Sequence, residues 1–291
     1  MYPKISIVTP SFQQADFLEE TLLSVLDQNY PNLEYIVVDG GSTDGSVEII
    51  KRYSDRLTYW VSEEDEGQSH AINKGFERAT GEILGWLNSD DVLESGALMS
   101  VAKAYADASD AVAWIGNADV TNRDGQFLYH QPAIFSDKQS LARWGFDAVF
   151  FQPSCFFART AFEKAGGLRN HLHYALDPDL WLRLFDQGRF VHVDQTLSRP
   201  RIYPECKSLA GRLKLRAELI ACCVDQGMLD MAEFHLESLE QQARKQAIEE
   251  TQKRYLPPII TRARDSFVYR GNRLLQSLGL SKKSPSDVER S

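Results

Sequence analysis

Two groups of carboxylates are the residues best suited to chemistry. An apolar run, Ile83, Leu84, Trp86 and Leu87, ends abruptly in Asn88-Ser89-Asp90-Asp91. Adjacent ionised carboxylates repel, so a dry interior does not tolerate them unless a cation or a hydrogen-bond network neutralises the pair. Oxygen ligands of this type suit Mg²⁺ or Mn²⁺, ions that usually arrive shared with a substrate's phosphates. The plainer alternative is a turn that caps the next helix. The second group is Asp177-Pro178-Asp179. Pro178 suits the first turn of a helix, which puts Asp177 at the N-cap and Asp179 inside the first turn. Asp177 is then either a cap and nothing more, or a general base facing a crevice. His171 and His173, just before it, are read as structural residues without a chemical role.

The elements around these carboxylates alternate. Strands are expected at 5–9, 33–38, 57–62 and 82–87, with helices at 15–27, 46–53 and 67–79 between them. This βαβαβαβ order implies an α/β fold with a largely parallel sheet flanked by helices, and such sheets bind ligands at the carboxyl ends of their strands. Thr9 to Ser11, Asp39 to Asp44 and Asn88 to Asp91 all lie at those ends. Asp39 is placed to accept hydrogen bonds from a nucleotide's ribose or base, although Asp39-Gly40 and Asp44-Gly45 also read as plain tight turns. Neither G-x-G-x-x-G after the first strand nor G-x-x-x-x-G-K-[ST] is present, against a dehydrogenase and a P-loop enzyme.

Further on, a helix at 95–106 and a strand at 111–115 precede a hairpin turn at Asn122-Arg123-Asp124-Gly125. Residues 127–151 are aromatic and read as irregular. A strand at 154–158, a helix at 160–165 and a strand at 190–193 frame the second acidic group. Beyond it, Arg199, Arg201, Tyr203, Lys207 and Ser208 form a cationic loop able to fold over a diphosphate. Two amphipathic helices follow, at 209–223 and 228–248, with a domain boundary placed near Ser208.

A length of 291 residues with 43% hydrophobic and 25% charged content supports one sizeable core, or one domain with an appendage. The net charge of −9 argues against nucleic acid as a partner. From Thr251 to Ser291 there are nine Lys or Arg against three Asp or Glu, which leaves 23 against 38 in the rest. That basic tail carries an apolar helical stripe over 258–280, suited to a peripheral contact with an anionic membrane, or to docking on the domain before it or on a second copy in a homo-oligomer. Cys155, Cys206, Cys222 and Cys223 lack metal-ligand spacing, and neither a signal peptide nor an 18-residue apolar run is seen, so a reduced, cytoplasmic protein at most associated with the inner membrane face is expected.

Taken together, Ile7-Val8-Thr9-Pro10-Ser11-Phe12, Val37-Val38-Asp39-Gly40-Gly41-Ser42-Thr43-Asp44-Gly45, Ala71-Ile72-Asn73-Lys74-Gly75, Asn88-Ser89-Asp90-Asp91 and Asp177-Pro178-Asp179-Leu180-Trp181-Leu182-Arg183 resemble the family 2 glycosyltransferases of GT-A fold. The resemblance covers about residues 1–208 and implies a nucleotide-binding half (1–91) and an acceptor-binding half (92–208), with the helical extension (209–291) lying beyond it. It implies that Thr9, Pro10, Ser11, Asp39, Asp65, Asn73, Asp90 and Arg201 contact a nucleoside-diphosphate sugar. Asp91, assisted by Asp90, would hold Mn²⁺ or Mg²⁺, and Asp177 would be the base of an inverting transfer to a glycan or lipid-linked acceptor in polysaccharide, capsule or lipopolysaccharide assembly. Three positions depart from the family pattern. Ile72 stands where many members have Arg, Leu176 where an acid precedes the base, and Tyr203 where relatives often have a metal-binding His. A non-catalytic nucleotide- or sugar-binding module would keep Asp39 without needing a base. A nucleotidyltransferase of similar fold would need a Gly-rich basic loop after the first strand, which Pro10-Ser11-Phe12-Gln13-Gln14 does not provide.

Overall fold

A computed structural model describes residues 2–255. Its first part follows the expected alternation: β1 (Ile5–Ser11), α1 (Ala15–Leu26), β2 (Leu33–Asp39), α2 (Ser46–Tyr53), β3 (Tyr59–Ser62), α3 (Gln68–Phe76) and β4 (Ile83–Trp86). These four strands pair in parallel in the order β3-β2-β1-β4. Their side chains alternate between two cores. Val8, Ile36, Val38, Leu84 and Trp86 point to one face, and Ile5, Ile7, Tyr35, Val37 and Ile83 to the other. A sheet covered on both faces needs strands that are apolar throughout, which is why these runs are legible in the sequence. In register Ser11 lies beside Asp39, and Asp39 beside Ser62, so the strands' carboxyl ends form one rim.

The second part is mixed. It comprises β5 (Val92–Leu93), α4 (Ala97–Asp107), β6 (Ala113–Thr121), β7 (Phe127–Gln131), α5 (Lys138–Ala142), β8 (Cys155–Ala158), α6 (Arg159–Ala165), α7 (Leu176–Phe185) and β9 (Phe190–Arg199). From β4 the sheet continues through antiparallel β8 to β6, β9 and β5, with β7 hairpinned onto β6. The segment expected to be irregular therefore holds a strand and a short helix. The two-residue β5 carries no sequence signal, yet it fixes the site. Val92 pairs with Arg199, which lays Asp90 and Asp91 beside Pro200 and Arg201.

Helices α8 (Lys207–Ala210), α9 (Arg212–Asp225) and α10 (Leu229–Tyr255) complete the described chain. The chain divides into two compact units, Met1–Glu237 and Ser238–Ser291. In the first, Leu219, Cys222 and Cys223 of α9 join the core beneath α7, so helices beyond Ser208 share the interior of the chain before it. All four cysteines are buried free thiols. Among the described residues no helix is long and apolar enough to cross a membrane. The basic stripe at 258–280 lies outside the described residues.

Candidate active site

The strand rim opens into a cavity of about 1040 Å³ whose walls include Pro10, Ser11, Gly40, Gly41, Asp65, Asn88, Asp90, Asp91, Asp177 and Arg201. The two acidic groups, 86 positions apart in the chain, thus face one space. Packing sets their relation: Trp86 on β4 stacks on Trp181 on α7, centroids 5.6 Å apart with planes 16° from parallel. Gln152 donates to the Trp86 carbonyl at 2.8 Å, which fixes the strand end from the other side.

Asp91 is 6% exposed. It accepts a 2.9 Å bond from the Arg201 backbone N–H and a 3.2 Å bond from the Asn88 side chain. These donors do not match its charge: burial, and then the neighbouring Asp90 carboxylate, push its carboxyl up to about 8. Asp90 accepts from the Tyr203 hydroxyl at 2.7 Å, so Tyr203 meets one member of the acidic pair by hydrogen bond. Burial and Asp90 in turn raise the Tyr203 phenol, keeping it protonated as a donor. A buried carboxylate beside a half-buried one, with excess negative charge, fits a hard divalent cation whose other ligands would come from diphosphate and water. Among the described residues no group of three or more His, Cys, Asp or Glu could hold a metal by itself.

Asp177 is not the N-cap of its helix. Ala175 occupies that position and donates no side-chain cap. The cap comes from α9: the Glu218 carboxylate accepts from the backbone N–H groups of Tyr174 at 2.7 Å, Ala175 at 2.8 Å and His173 at 3.1 Å. Asp177, at the second helical position, engages its own backbone N–H and faces the cavity. Burial pushes its carboxyl up to about 6; Glu218 adds to the rise, while its own backbone N–H and the Lys207 ammonium hold it down. Asp179 has another task. It is fully buried against Arg183 at 2.6 Å and Arg169 at 3.3 Å.

Of the other residues expected to contact donor, Pro10, Ser11 and Asp65 line the cavity, with Asp65 accepting from Gly67 N–H at 2.7 Å. Gly40 lets Asp65 approach, since a Cβ there would lie 2.7 Å from Asp65 Oδ2. Thr9, Asp39 and Asn73 do not line it. Thr9 is buried against the Tyr35 hydroxyl, and Asn73 bonds the chain at Leu168 and Asn170. Asp39 accepts from Gly41 N–H, Ser42 N–H and the Ser42 and Ser62 hydroxyls, which makes it the organiser of the loop after β2. Ile72 is a core residue with no access to the site, and Leu176 is buried. Arg201 lines the cavity, but its guanidinium is paired with Glu20 and bonds the Asp90 carbonyl at 2.9 Å. Glu20, Gln152 and Glu218 had no sequence signal, because each acts on a partner 43 or more positions away.

A family model for glycosyl transferase family 2 matches residues 6–166. TuaG of Bacillus subtilis, a glycosyltransferase named for teichuronic acid biosynthesis, is 37% identical over 117 residues, covering 39% of this chain and 46% of TuaG. An uncharacterised glycosyltransferase of Nostoc is 25% identical over 268 residues, or 89% of this chain and 76% of that protein. Among solved structures, the mannosyltransferase PcManGT of Pyrobaculum calidifontis, in complex with GDP-Man and Mn²⁺, superposes with TM-score 0.60 at 17% identity over 95% of this chain and 81% of its own. Staphylococcus aureus TarS residues 1–349 with UDP-GlcNAc also gives 0.60, at 16% identity over 76% of this chain and 66% of its own. The parallel half, the mixed half and the matched motifs agree: the chain belongs to glycosyl transferase family 2 and has the GT-A fold.

Proposed function

We propose that the chain moves a sugar from a nucleoside diphosphate to an acceptor hydroxyl with inversion at the anomeric carbon, using Asp177 as base. The observation that carries this reading is Asp177 itself: a carboxylate in the first turn of a helix whose N-cap is Ala175, facing the cavity that holds Asp90 and Asp91. With its carboxyl near 6, Asp177 is mostly ionised at neutral pH and basic enough to take a proton. Asp177 takes the acceptor's hydroxyl proton as that oxygen forms its bond to the anomeric carbon. The bond from that carbon to the diphosphate oxygen breaks, its electron pair leaving with the diphosphate. Attack from the face opposite the leaving group inverts the centre.

Asp91 and Asp90 are the residues that would hold Mn²⁺ or Mg²⁺, which supplies charge to stabilise the leaving diphosphate. Ser11, Asp65 and the glycines after β2 form the wall for the nucleotide. Neighbours of this fold bind UDP-GlcNAc and GDP-Man, which supports a nucleotide-sugar donor without choosing its base. TuaG's name supports a polysaccharide product. The test is Asp177→Asn in the full chain, with a donor and acceptor found by screening nucleotide sugars. Folding and metal-dependent donor binding should persist while turnover falls about a hundredfold or more. Turnover at the wild-type level would leave Asp177 without a chemical role.

A further inference from the structure

A second cavity of about 540 Å³ lies next to the first, lined by His173, Tyr174, Lys207, Lys214, Ala217 and Glu218. Tyr174 and Lys207 line both, so the two spaces share a wall on the Asp177 side. The charge of this groove runs against the rest of the protein. Two ammonium groups lie within cation–π reach of one ring, Lys207 at 5.7 Å and Lys214 at 5.4 Å from the Tyr174 centroid. Among the described residues neither makes an ion pair: Lys207 bonds the Gln68 amide oxygen at 2.5 Å and feels Asp177 and Glu218 only at longer range, and Lys214 bonds the Tyr174 hydroxyl at 3.4 Å. The groove's one acid, Glu218, has both oxygens engaged by the backbone N–H groups ahead of α7. Gly211 secures the ring, since a Cβ there would run into Tyr174. In a chain of net charge −9, two cations held beside an aromatic ring at the mouth of an acidic cavity are a site for a negative ligand.

We propose that this groove binds an anionic group on the acceptor, a carboxylate or a phosphate borne on the sugar unit next to the one being glycosylated. The proposal rests on reading the main cavity as the donor and transfer site. Donor enters against Asp90 and Asp91, the accepting hydroxyl meets Asp177, and the acceptor chain leaves over Tyr174 with its negative group between Lys207 and Lys214. The ring offers an apolar body and a hydroxyl to a sugar, and the ammonium groups offer charge-assisted hydrogen bonds. A neutral glycan offers these lysines hydroxyl oxygens but no compensating charge.

The experiment uses the full chain and measures binding by calorimetry, without turnover. The probes are trigalacturonate, its uncharged methyl ester, and a glycerol phosphate oligomer. The expected result is that at least one anionic probe binds about tenfold or more tightly than the ester, a preference lost near 1 M salt, where the Debye length is about 3 Å. Preference for the uronate identifies a carboxylate acceptor, and preference for the glycerol phosphate oligomer a phosphate one. Lys214→Glu should abolish the preference and Lys214→Arg should keep it. Lys214 is exposed, so both variants should fold. Equal affinity for charged and uncharged probes, or a preference unchanged in Lys214→Glu, overturns the inference. Nucleoside diphosphate binding, measured on the same samples and in Asp91→Asn, reports on the main cavity separately.

Discussion

The strand ends of β2 and β4 each carry a buried carboxylate, and the two meet opposite fates. Asp39 is fully buried, with four donors around its two oxygens. Asp91 is nearly as buried, but it has two donors and another carboxylate beside it, and its carboxyl is driven to about 8. Burial is common to both. What separates them is whether the protein itself supplies the compensating charge. The first helical turn of α7 repeats the contrast two residues apart: Asp179 is closed between two arginines, while Asp177 has no ion-pair partner among the described residues and faces the cavity. A carboxylate whose charge the fold leaves unmet is one available to a cation or a proton in transit.

Asp179→Asn would break this comparison most visibly. Removing one member of a buried ion pair leaves the other uncompensated, at a cost of about 3 kcal/mol, the low end because Arg169 reaches solvent. Melting should fall by roughly 6–12 °C for a unit of this size, with turnover per folded molecule near wild type. A variant that melts normally but turns over poorly would move Asp179 into the chemistry.

Asp91→Asn should do the reverse. Asp91's folded value lies above the ordinary 3.8, so the folded state binds more protons than the unfolded one, and metal-free stability declines as pH rises from about 4 through 8. Asp91→Asn should flatten that decline without lowering the melting temperature at pH 8. In the wild type, the rise in melting temperature given by Mn²⁺ should grow over the same pH range as the competing proton leaves, and vanish with EDTA. A Mn²⁺ effect independent of pH, or retained in the variant, would show that the pair is not the cation site.

The smallest change sharpens the contrast within α7. Glu218→Gln weakens the cap, at a cost of about 1 kcal/mol, and removes a negative neighbour that raises Asp177. The acid limb of the pH dependence of kcat/KM, expected near 6, should therefore move to lower pH. An unmoved or upward-moved limb would disconnect Glu218 from Asp177.

Much of this protein is readable before folding. Strands covered on both faces must be continuously apolar, so β1, β2 and β4 announce themselves, and a parallel sheet then places their polar ends together. The joint motif phrases carried the family, and Asp90, Asp91 and Asp177 all line one cavity. The local chemistry of Asp-Pro, however, misled: from neighbouring residues alone Asp177 is a good N-cap, yet Ala175 holds that position. The partners of Asp39 and Arg201 are likewise not legible, because Ser62 and Glu20 lie far along the chain. The two-residue β5 is invisible to any periodicity, yet it brings Arg201 to Asp91. Residue type and spacing determined which groups can ionise and which elements hold them. Only the tertiary structure decided which charges are compensated, because compensation depends on contacts between residues tens to hundreds of positions apart.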